Sequence, residues 1–455
     1  MGDATFVVGH LLFWVFGGCA ALLPLRWGIP FYLLVVQIDS SGPELASAST
    51  VGFENTLKII LLPTLFLLRI GWKRFKPLYW PSMSKSWLLF VSYVALAAIW
   101  SPFQLSAIKM VGYLYCYAAL FTTFTYAAFQ GWITEKVLAV IAVSSLALGA
   151  IQTYFLGNLF GFGGTENRFT TFSDTETFAA FLIALLSLFL FSAETQDRFR
   201  RIACIVGLVL GIILTGSRYV FLGLVILFLA ASVFYTLQTV RKIRLGLLLR
   251  RVSLGLVPAV LVFGMVVQYF PQNRLNELTQ LSSSHDIEDI GTFGFRLAIY
   301  QLTMDQLAEH NLRQWIFGTG TSSGAEVALK FDPALYKFDT VDGNRIIHDE
   351  FLRALYEWGW VGLSLFVYFL VMTVKSCVEL FRRTRRREVM AFLAIFPTLL
   401  IGLAVGNVLA EAGLPGGTGY VLVLACAAAS RFQSGTGQRR RVAGGTSSVL
   451  HGGLA

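Results

Sequence analysis

Runs of about 20 mostly apolar residues recur along this chain, and about 20 helical residues span the hydrocarbon core of a bilayer. Such runs predict membrane-spanning helices at residues 52–71, 86–101, 106–129, 133–156, 174–193, 200–216, 219–238, 250–270, 351–376, 389–409 and 416–431. Pro24 and Arg26 interrupt residues 5–38, which we expect to form either two spans or one span and a broken helix. The prediction is therefore an all-α polytopic membrane protein with 12 or 13 transmembrane helices.

The composition also favours a membrane protein. Charged residues make up 14% of the 455 residues, whereas soluble domains carry roughly a quarter. The first apolar run, Phe6–Leu25, lacks a preceding basic segment and a clear cleavage site, so we expect a retained helix rather than a secretory signal. The five cysteines are scattered singly and predict neither a metal site nor a disulfide framework.

Basic residues cluster in five segments, and an even number of predicted spans separates each cluster from the next. The clusters are Lys73, Arg74 and Lys76; Arg198, Arg200 and Arg201; Arg241, Lys242, Arg244, Arg250 and Arg251; Arg382, Arg383, Arg385, Arg386 and Arg387; and Arg439 to Arg441. All five therefore lie on one face, which the positive-inside rule identifies as cytoplasmic. The net charge of +10 then reflects topology, so we expect a bacterial inner-membrane protein with no nucleic-acid partner.

The apolar pattern divides the chain into four parts. Residues 1–270 carry the N-terminal transmembrane helices, 271–349 form a large periplasmic loop, 350–432 carry the C-terminal transmembrane helices, and 433–455 form a cytoplasmic tail whose composition predicts disorder. Within the loop, apolar residues at helical spacing from Phe293 to Leu307 predict an amphipathic helix on the membrane surface. Gly318, Gly320 and Gly324 then indicate turns.

Three arginines fall on the predicted periplasmic face: Arg168 in a Gly-rich loop, Arg218 in the tight connection Thr215–Arg218, and Arg296 on the amphipathic helix. A planar guanidinium donates two hydrogen bonds to a phosphate at once, so converging arginines would form a phosphate or diphosphate site. Arg218 carries the most information, because a charge in so short a turn is costly to desolvate. The alternatives are an interfacial anchor for Arg218 and ordinary solvation for the other two.

The segment Asn344–Gly362 leads from polar residues into an apolar helix, and His348 lies where the helix begins. Because imidazole titrates close to neutral pH, His348 is a candidate general base. The alternative is a solvated helix cap that includes Asp349, Glu350 and Arg353, since acidic residues stabilise a helix N-terminus.

Other titratable residues are assigned supporting roles. Glu357 is predicted to lie on a different helix face from His348 and to serve packing or positioning. Asp174 and Glu176 begin a span next to Arg168 and could pair with it or orient it. Asp286, Glu288 and Asp289 could hold a divalent metal, but a solvated acidic loop is the favoured interpretation. His10, inside the first apolar run, is interpreted as a core histidine with a satisfied partner.

These residues resemble the O-antigen ligase and polymerase family of bacterial envelope enzymes, whose motifs include TGSRG and HNxxL…ExGxxG. The matching segments are Arg168 with the run from Ser173, TGSRY at Thr215–Tyr219, GFR at Arg296 with GTG from Gly318, and HDEFLRALYEWGWVG from His348. Asp349 stands where the family has Asn, and Tyr219 where it has Gly.

The resemblance implies a membrane glycosyltransferase of the GT-C-like kind, without metal or other cofactor. It would take a glycan from an undecaprenyl-diphosphate carrier in the periplasmic leaflet. By this analogy Arg168, Arg218 and Arg296 bind the diphosphate, Arg218 also acts catalytically, and His348 activates the acceptor hydroxyl.

The acceptor and the class of protein stay open at this level. The acceptor would be lipid A–core sugar for a ligase, another repeat unit for a polymerase, or a protein. The alternative outside enzymes is a transporter or flippase for a lipid-linked glycan, which predicts repeated halves and charges near the middle of the membrane.

Overall fold

The computed structural model describes residues 2–38, 54, 56–71, 80–156, 169–171, 175–191, 197–239, 291–331, 347, 349–405 and 414–445. Within these ranges the regular elements are all helices. In the N-terminal half they are α1 (Gly2–Leu22), α2 (Leu25–Val35), a π-helical turn (Leu57–Leu61) continuing into α3 (Leu62–Ile70), α4 (Pro81–Ala97), α5 (Gln104–Phe129) and α6 (Glu135–Ala150) with a π-helical turn (Ile151–Leu156). They continue as α7 (Thr175–Phe191), α8 (Arg198–Thr215), α9 (Arg218–Thr239), α10 (Gly291–Ala308), α11 (Leu312–Phe317), α12 (Gly324–Phe331), α13 (Glu350–Thr384), α14 (Arg387–Val405) and α15 (Leu414–Gly445).

Six of the described helices are long and apolar enough to cross a membrane, which confirms an all-α polytopic membrane protein. They are Ser82–Trp100, Gln104–Phe129, Glu135–Phe155, Tyr219–Thr236, Glu350–Thr384 and Arg387–Val405. Shorter or less apolar helices occupy the other predicted spans, except 250–270, which lies outside the described residues. The count of 12 or 13 spans therefore stays a prediction.

The ambiguous N-terminal segment forms two helices that part at Pro24. The second helix, α2, has 11 residues; at about 1.5 Å per residue it spans roughly half of a hydrocarbon core of about 30 Å. The two helices pack closely, because a Cβ at Gly28 would lie 2.7 Å from the carbonyl oxygen of Ala20. The segment is thus one longer helix followed by a short one.

Helix α7 lies at the centre of the bundle. From Thr177 to Phe189 its side chains are buried on all faces, as expected of a helix that is apolar all round. Helices α8, α9, α14 and α15 pack around it.

One end of the bundle carries basic side chains. Arg201 donates a hydrogen bond of 3.0 Å to the carbonyl of Leu190, and the hydroxyl of Tyr235 bonds the same carbonyl. The guanidinium of Arg387 lies 5.8 Å from the centre of the Tyr235 ring. Two of the predicted basic clusters, at residues 198–201 and 382–387, therefore share this end. We call it the basic end, defined by Arg201 and Arg387.

The opposite end, defined by Ser101, Glu176 and Leu214, is called the loop end. Helices α4, α6, α8 and α14 run toward it and α5, α7, α9, α13 and α15 run away, so that α4 and α13 pack antiparallel. Ser82 meets Ser376 near the basic end at 3.0 Å. The turn between α8 and α9 and the beginning of α13 lie at the loop end.

Helices α10 and α12 form a small second core with the first turns of α13. Ile299, Leu307, Val327, Ile347 and Tyr356 are its buried members. The helix predicted from Phe293 to Leu307 is therefore present as α10, and it packs against α12 and α13.

The C-terminal helix is longer than predicted. Helix α15 continues to Gly445, and the disorder expected from residue 433 stays a prediction. A helix that has already nucleated extends at little cost, because each added residue gains one hydrogen bond. Residues 446–455 lie outside the described residues.

Candidate functional site

A kink in α13 creates the most distinctive backbone feature at the loop end. Gly359 has φ 61° and ψ −166° inside this helix, a conformation that is essentially restricted to glycine. The kink interrupts the helical ladder, so the carbonyls of Tyr356 and Glu357 need partners from elsewhere.

A glycine-rich loop, residues Gly318–Ser323, supplies those partners. The amide of Thr319 donates to the carbonyl of Tyr356 at 3.1 Å, and the amide of Gly320 donates to the carbonyl of Glu357 at 2.9 Å. Gly318 has φ 78°, and a Cβ there would collide with the Glu357 carbonyl. Two segments that are distant in sequence thus join through main-chain hydrogen bonds.

The side chain of Glu357 strengthens the same junction. It is 1% exposed and accepts hydrogen bonds from the amides of Ser322 at 2.7 Å and Gly324 at 3.3 Å. Helix α12 begins at Gly324, where free amides favour a negative charge. The prediction that Glu357 serves positioning agrees with these contacts.

Arg353 lies between two carboxylates. Its Nε donates to Glu357 Oε1 at 3.0 Å, and its Nη1 lies 3.4 Å from Glu350 Oε2. Arg353 and Glu350 are 2% and 1% exposed, so the interpretation of these two residues as a solvated cap is wrong. Their spacing of three and four residues places all three side chains on one helix face, which α12 and the loop cover.

Asp349 does form the helix cap. Its Oδ1 accepts hydrogen bonds from the amides of Phe351 at 2.8 Å and Leu352 at 2.9 Å. Burial raises the pKa of Asp349, and these two hydrogen bonds partly oppose the rise. The cap interpretation is therefore confirmed for this residue.

Thr321 ties the glycine-rich loop to α4 as well as to α13. Its hydroxyl accepts from Trp358 Nε1 at 3.0 Å and donates to the carbonyl of Val94 at 2.7 Å. Ser101 donates to the carbonyl of Thr321 at 2.6 Å. Tyr93 donates to the carbonyl of Trp358 at 3.1 Å. The loop is consequently fixed from both sides.

The turn that contains Arg218 is as tight as predicted. Helix α8 ends at Thr215, Gly216 adopts a left-handed conformation with φ 66°, and α9 begins at Arg218 itself. Tyr219 donates to the carbonyl of Glu176 at 3.1 Å, so this turn adjoins the first turn of α7. The Arg218 side chain is outside what the structure describes.

The remaining predicted site residues are located only through their neighbours. Arg168, Asp174 and His348 lie outside the described residues, and Arg296 is described only as backbone within α10. The amide of Phe169 donates to the carbonyl of Leu214 at 3.2 Å, which places the residue after Arg168 near the Arg218 turn. Convergence of the three arginines and His348 thus stays a prediction.

Two other predicted features lie elsewhere. His10 Nδ1 is 2.6 Å from Glu54 Oε1, which agrees with a core histidine whose partner is satisfied. The acidic residues 286–289 lie outside the described residues. The described part of the chain holds no group of three or more potential metal ligands.

Sequence reasoning missed the roles of Arg353, Glu350, Thr321 and Tyr93. The spacing of Glu350, Arg353 and Glu357 along one helix was a readable signal, because residues three and four apart face the same way. The contacts of Thr321 and Tyr93 had no such signal, since they join α4 to segments more than 220 residues away.

A comparison with protein families matches residues 202–367 to the O-antigen ligase family. This confirms the resemblance over that region, which contains the Arg218 turn, α10, the glycine-rich loop and the first half of α13. The match supports membrane glycan transfer by a glycosyltransferase-type enzyme, with glycan substrates and a lipid bilayer setting. No curated protein matches the chain.

Proposed function

We propose that this protein moves a glycan from an undecaprenyl-diphosphate carrier to an acceptor hydroxyl at the periplasmic face of a bacterial inner membrane. The observation that carries the proposal is the place of Arg218, at the first residue of α9 after a two-residue turn and inside the region that matches the ligase family. An arginine in so short a turn between two apolar helices favours an anionic partner, because its charge is costly to desolvate.

In the proposed reaction the acceptor oxygen attacks the anomeric carbon of the donor glycan while the bond from that carbon to the diphosphate oxygen breaks. His348 takes the proton from the acceptor hydroxyl. Arg168, Arg218 and Arg296 stabilise the negative charge that develops on the diphosphate. The carrier leaves as undecaprenyl diphosphate, and no metal ion is required.

A cavity that opens to the surface of the bundle supports a lipid-linked donor. It has a volume of about 420 Å³ and a largely apolar lining contributed by α3, α4, α5, α13, α14 and α15. The lining reaches from Met83, in the first turn of α4 at the basic end, to Gly417, in the first turn of α15 at the loop end. A cavity of this character suits a hydrocarbon chain better than a sugar.

The orientation of the bundle supports a periplasmic site. Arg201 and Arg387 lie at the basic end, which the positive-inside rule assigns to the cytoplasm. The Arg218 turn and the beginning of α13 then face the periplasm. The described charges of the matched region lie at this end rather than at mid-membrane, so they favour transfer at a surface over transport.

The first test is replacement of Arg218 by Ala in a strain that lacks the chromosomal copy. Glycan transfer is expected to fall at least about 100-fold, as for the loss of a charge-stabilising donor, while the protein still inserts. Arg382→Ala, an exposed arginine of α13 at the basic end, is the control and should transfer normally. Full transfer by Arg218→Ala would contradict the assignment.

The deletion strain itself identifies the acceptor. Loss of all O-antigen from the lipid A–core points to a ligase, whereas capping by a single repeat unit points to a polymerase. Loss of the glycan from a protein that carries it in the wild-type strain points to a protein acceptor.

The proposed absence of a metal requirement is tested by chelation of the purified protein. Transfer should continue unchanged in excess EDTA, because arginines rather than a divalent ion are proposed to neutralise the diphosphate. Activity that disappears with EDTA and returns with one divalent ion would show this part of the proposal to be wrong.

A further inference from the structure

We propose that Arg353 is a positioning residue for the transfer reaction, which it serves through Glu357 and Glu350. This inference rests on the proposed function. Arg353 and Glu350 stand at positions that the family motif HNxxL…ExGxxG leaves unspecified. Their role is therefore additional to the roles that the resemblance implies.

The first step is the charge of the buried group. Glu350 and Glu357 each bring a carboxylate that is 1% exposed, and Arg353 brings the guanidinium that contacts both. A buried carboxylate that loses its paired cation is strongly destabilised and must take up a proton or move toward water. Either response weakens its hold on the amides of Ser322 and Gly324.

The second step is what those amides hold in place. Ser322 and Gly324 lead into α12, whose Val327 packs with Ile299 and Leu307 of α10. Arg296 belongs to helix α10, and its backbone is described there. Glu357 therefore connects, through α12, to the helix that presents one of the proposed diphosphate ligands.

The third step concerns the first turns of α13, which follow His348 in the chain. Glu350, Arg353 and Glu357 occupy the first two turns of α13, directly after His348 in the chain. Tyr356 in this stretch also donates to Gln306 Oε1 of α10 at 2.8 Å. The ion pairs thus fix the helix that carries a donor ligand against the helix that follows the proposed base.

This arrangement makes a kinetic prediction. A small displacement between donor and acceptor groups lowers the rate of the chemical step strongly, even when both substrates still bind. Loss of Arg353 should therefore reduce kcat much more than it changes KM for either substrate.

The test compares purified Arg353→Met with wild type and with Arg382→Met, the same substitution at an exposed arginine of α13. Hydrogen–deuterium exchange should become about tenfold faster in peptides covering residues 318–324, and not in peptides from α5, while kcat falls about tenfold or more. Arg353→Lys should fall between Arg353→Met and wild type in both measurements. Arg382→Met should match wild type.

A paired variant separates positioning from general loss of stability. Arg353→Met/Glu357→Gln removes both members of one ion pair, and the single oxygen of the new amide can still accept from one of the two loop amides that now bond the two oxygens of Glu357. It should recover part of the kcat that Arg353→Met loses, because it leaves one unpaired buried carboxylate, Glu350, where Arg353→Met leaves two. A double variant no more active than Arg353→Met would count against the proposal.

Two further results would overturn the proposal: unchanged exchange in residues 318–324, or wild-type kcat in Arg353→Met. If Arg353→Met fails to insert, wild-type exchange and kcat in Arg353→Lys would overturn it. Failure of the wild-type protein to transfer glycan would instead contradict the proposed function, and the exchange measurement would still decide whether Arg353 holds the loop.

Discussion

At the scale of single residues, neighbouring residues at the beginning of α13 have two different roles, a helix cap and a buried ion pair. Asp349 caps the helix through two main-chain amides, whereas Glu350 and Arg353 turn inward and pair. The cap was predictable because Asp favours this position in any helix. The inward orientation of the Glu350 and Arg353 side chains was not predictable, because it depends on α12 and the glycine-rich loop, which cover that face.

Asp349 also gives a pH-dependent prediction. Asp349→Ala should lower stability by about 0.5–2 kcal/mol through loss of the cap, whereas Asp349→Asn should keep it. Because burial raises the pKa of Asp349, the native state holds its proton more tightly than the unfolded state. The wild type should therefore lose stability relative to Asp349→Asn as the pH rises from the ordinary aspartate value through the raised one.

Thermal unfolding in detergent across that pH range measures this difference. A gap between wild type and Asp349→Asn that stays constant with pH would contradict the raised pKa. Equal stability of Asp349→Ala and wild type would contradict the cap.

At the scale of elements, most helices were predictable and the kink was not. The apolar runs located most of the described spans to within a few residues, because a bilayer imposes their length. Helices α13 and α15 continue further past their predicted ends. The predicted boundary at residue 433 stays a prediction, and helix α15 continues past it. The kink at Gly359 lay hidden within a continuous apolar run, and only the docking of Gly318–Ser323 explains it.

The kink predicts the effect of one methyl group. Gly359→Ala should destabilise the protein by about 1–3 kcal/mol, because its dihedral angles suit glycine alone and a Cβ would meet the Ile316 carbonyl. Gly112→Ala is the control, since its nearest neighbours would be 3.8 Å away and alanine favours a helix interior. Midpoints of thermal unfolding compare the two, and a Gly359→Ala midpoint equal to that of wild type would contradict the interpretation of the kink.

At the scale of the whole molecule, the bundle brings segments from distant parts of the chain to the loop end. The turn at Gly216, the first turn of α7, the glycine-rich loop and the start of α13 all lie there. The even number of predicted spans between the basic clusters was enough to predict that these segments share one end. They were not enough to predict contacts, because neither specifies which helices are neighbours.

We propose that glycan transfer takes place at this end with His348 as the base. The most direct measurement is transfer by purified protein from a synthetic undecaprenyl-diphosphate glycan to its acceptor, comparing wild type, His348→Gln and the exposed-site control Arg382→Ala. His348→Gln should lose about 100-fold or more in kcat, as expected for the loss of a general base, while the control transfers normally. A His348→Gln protein with wild-type kcat would contradict this proposal.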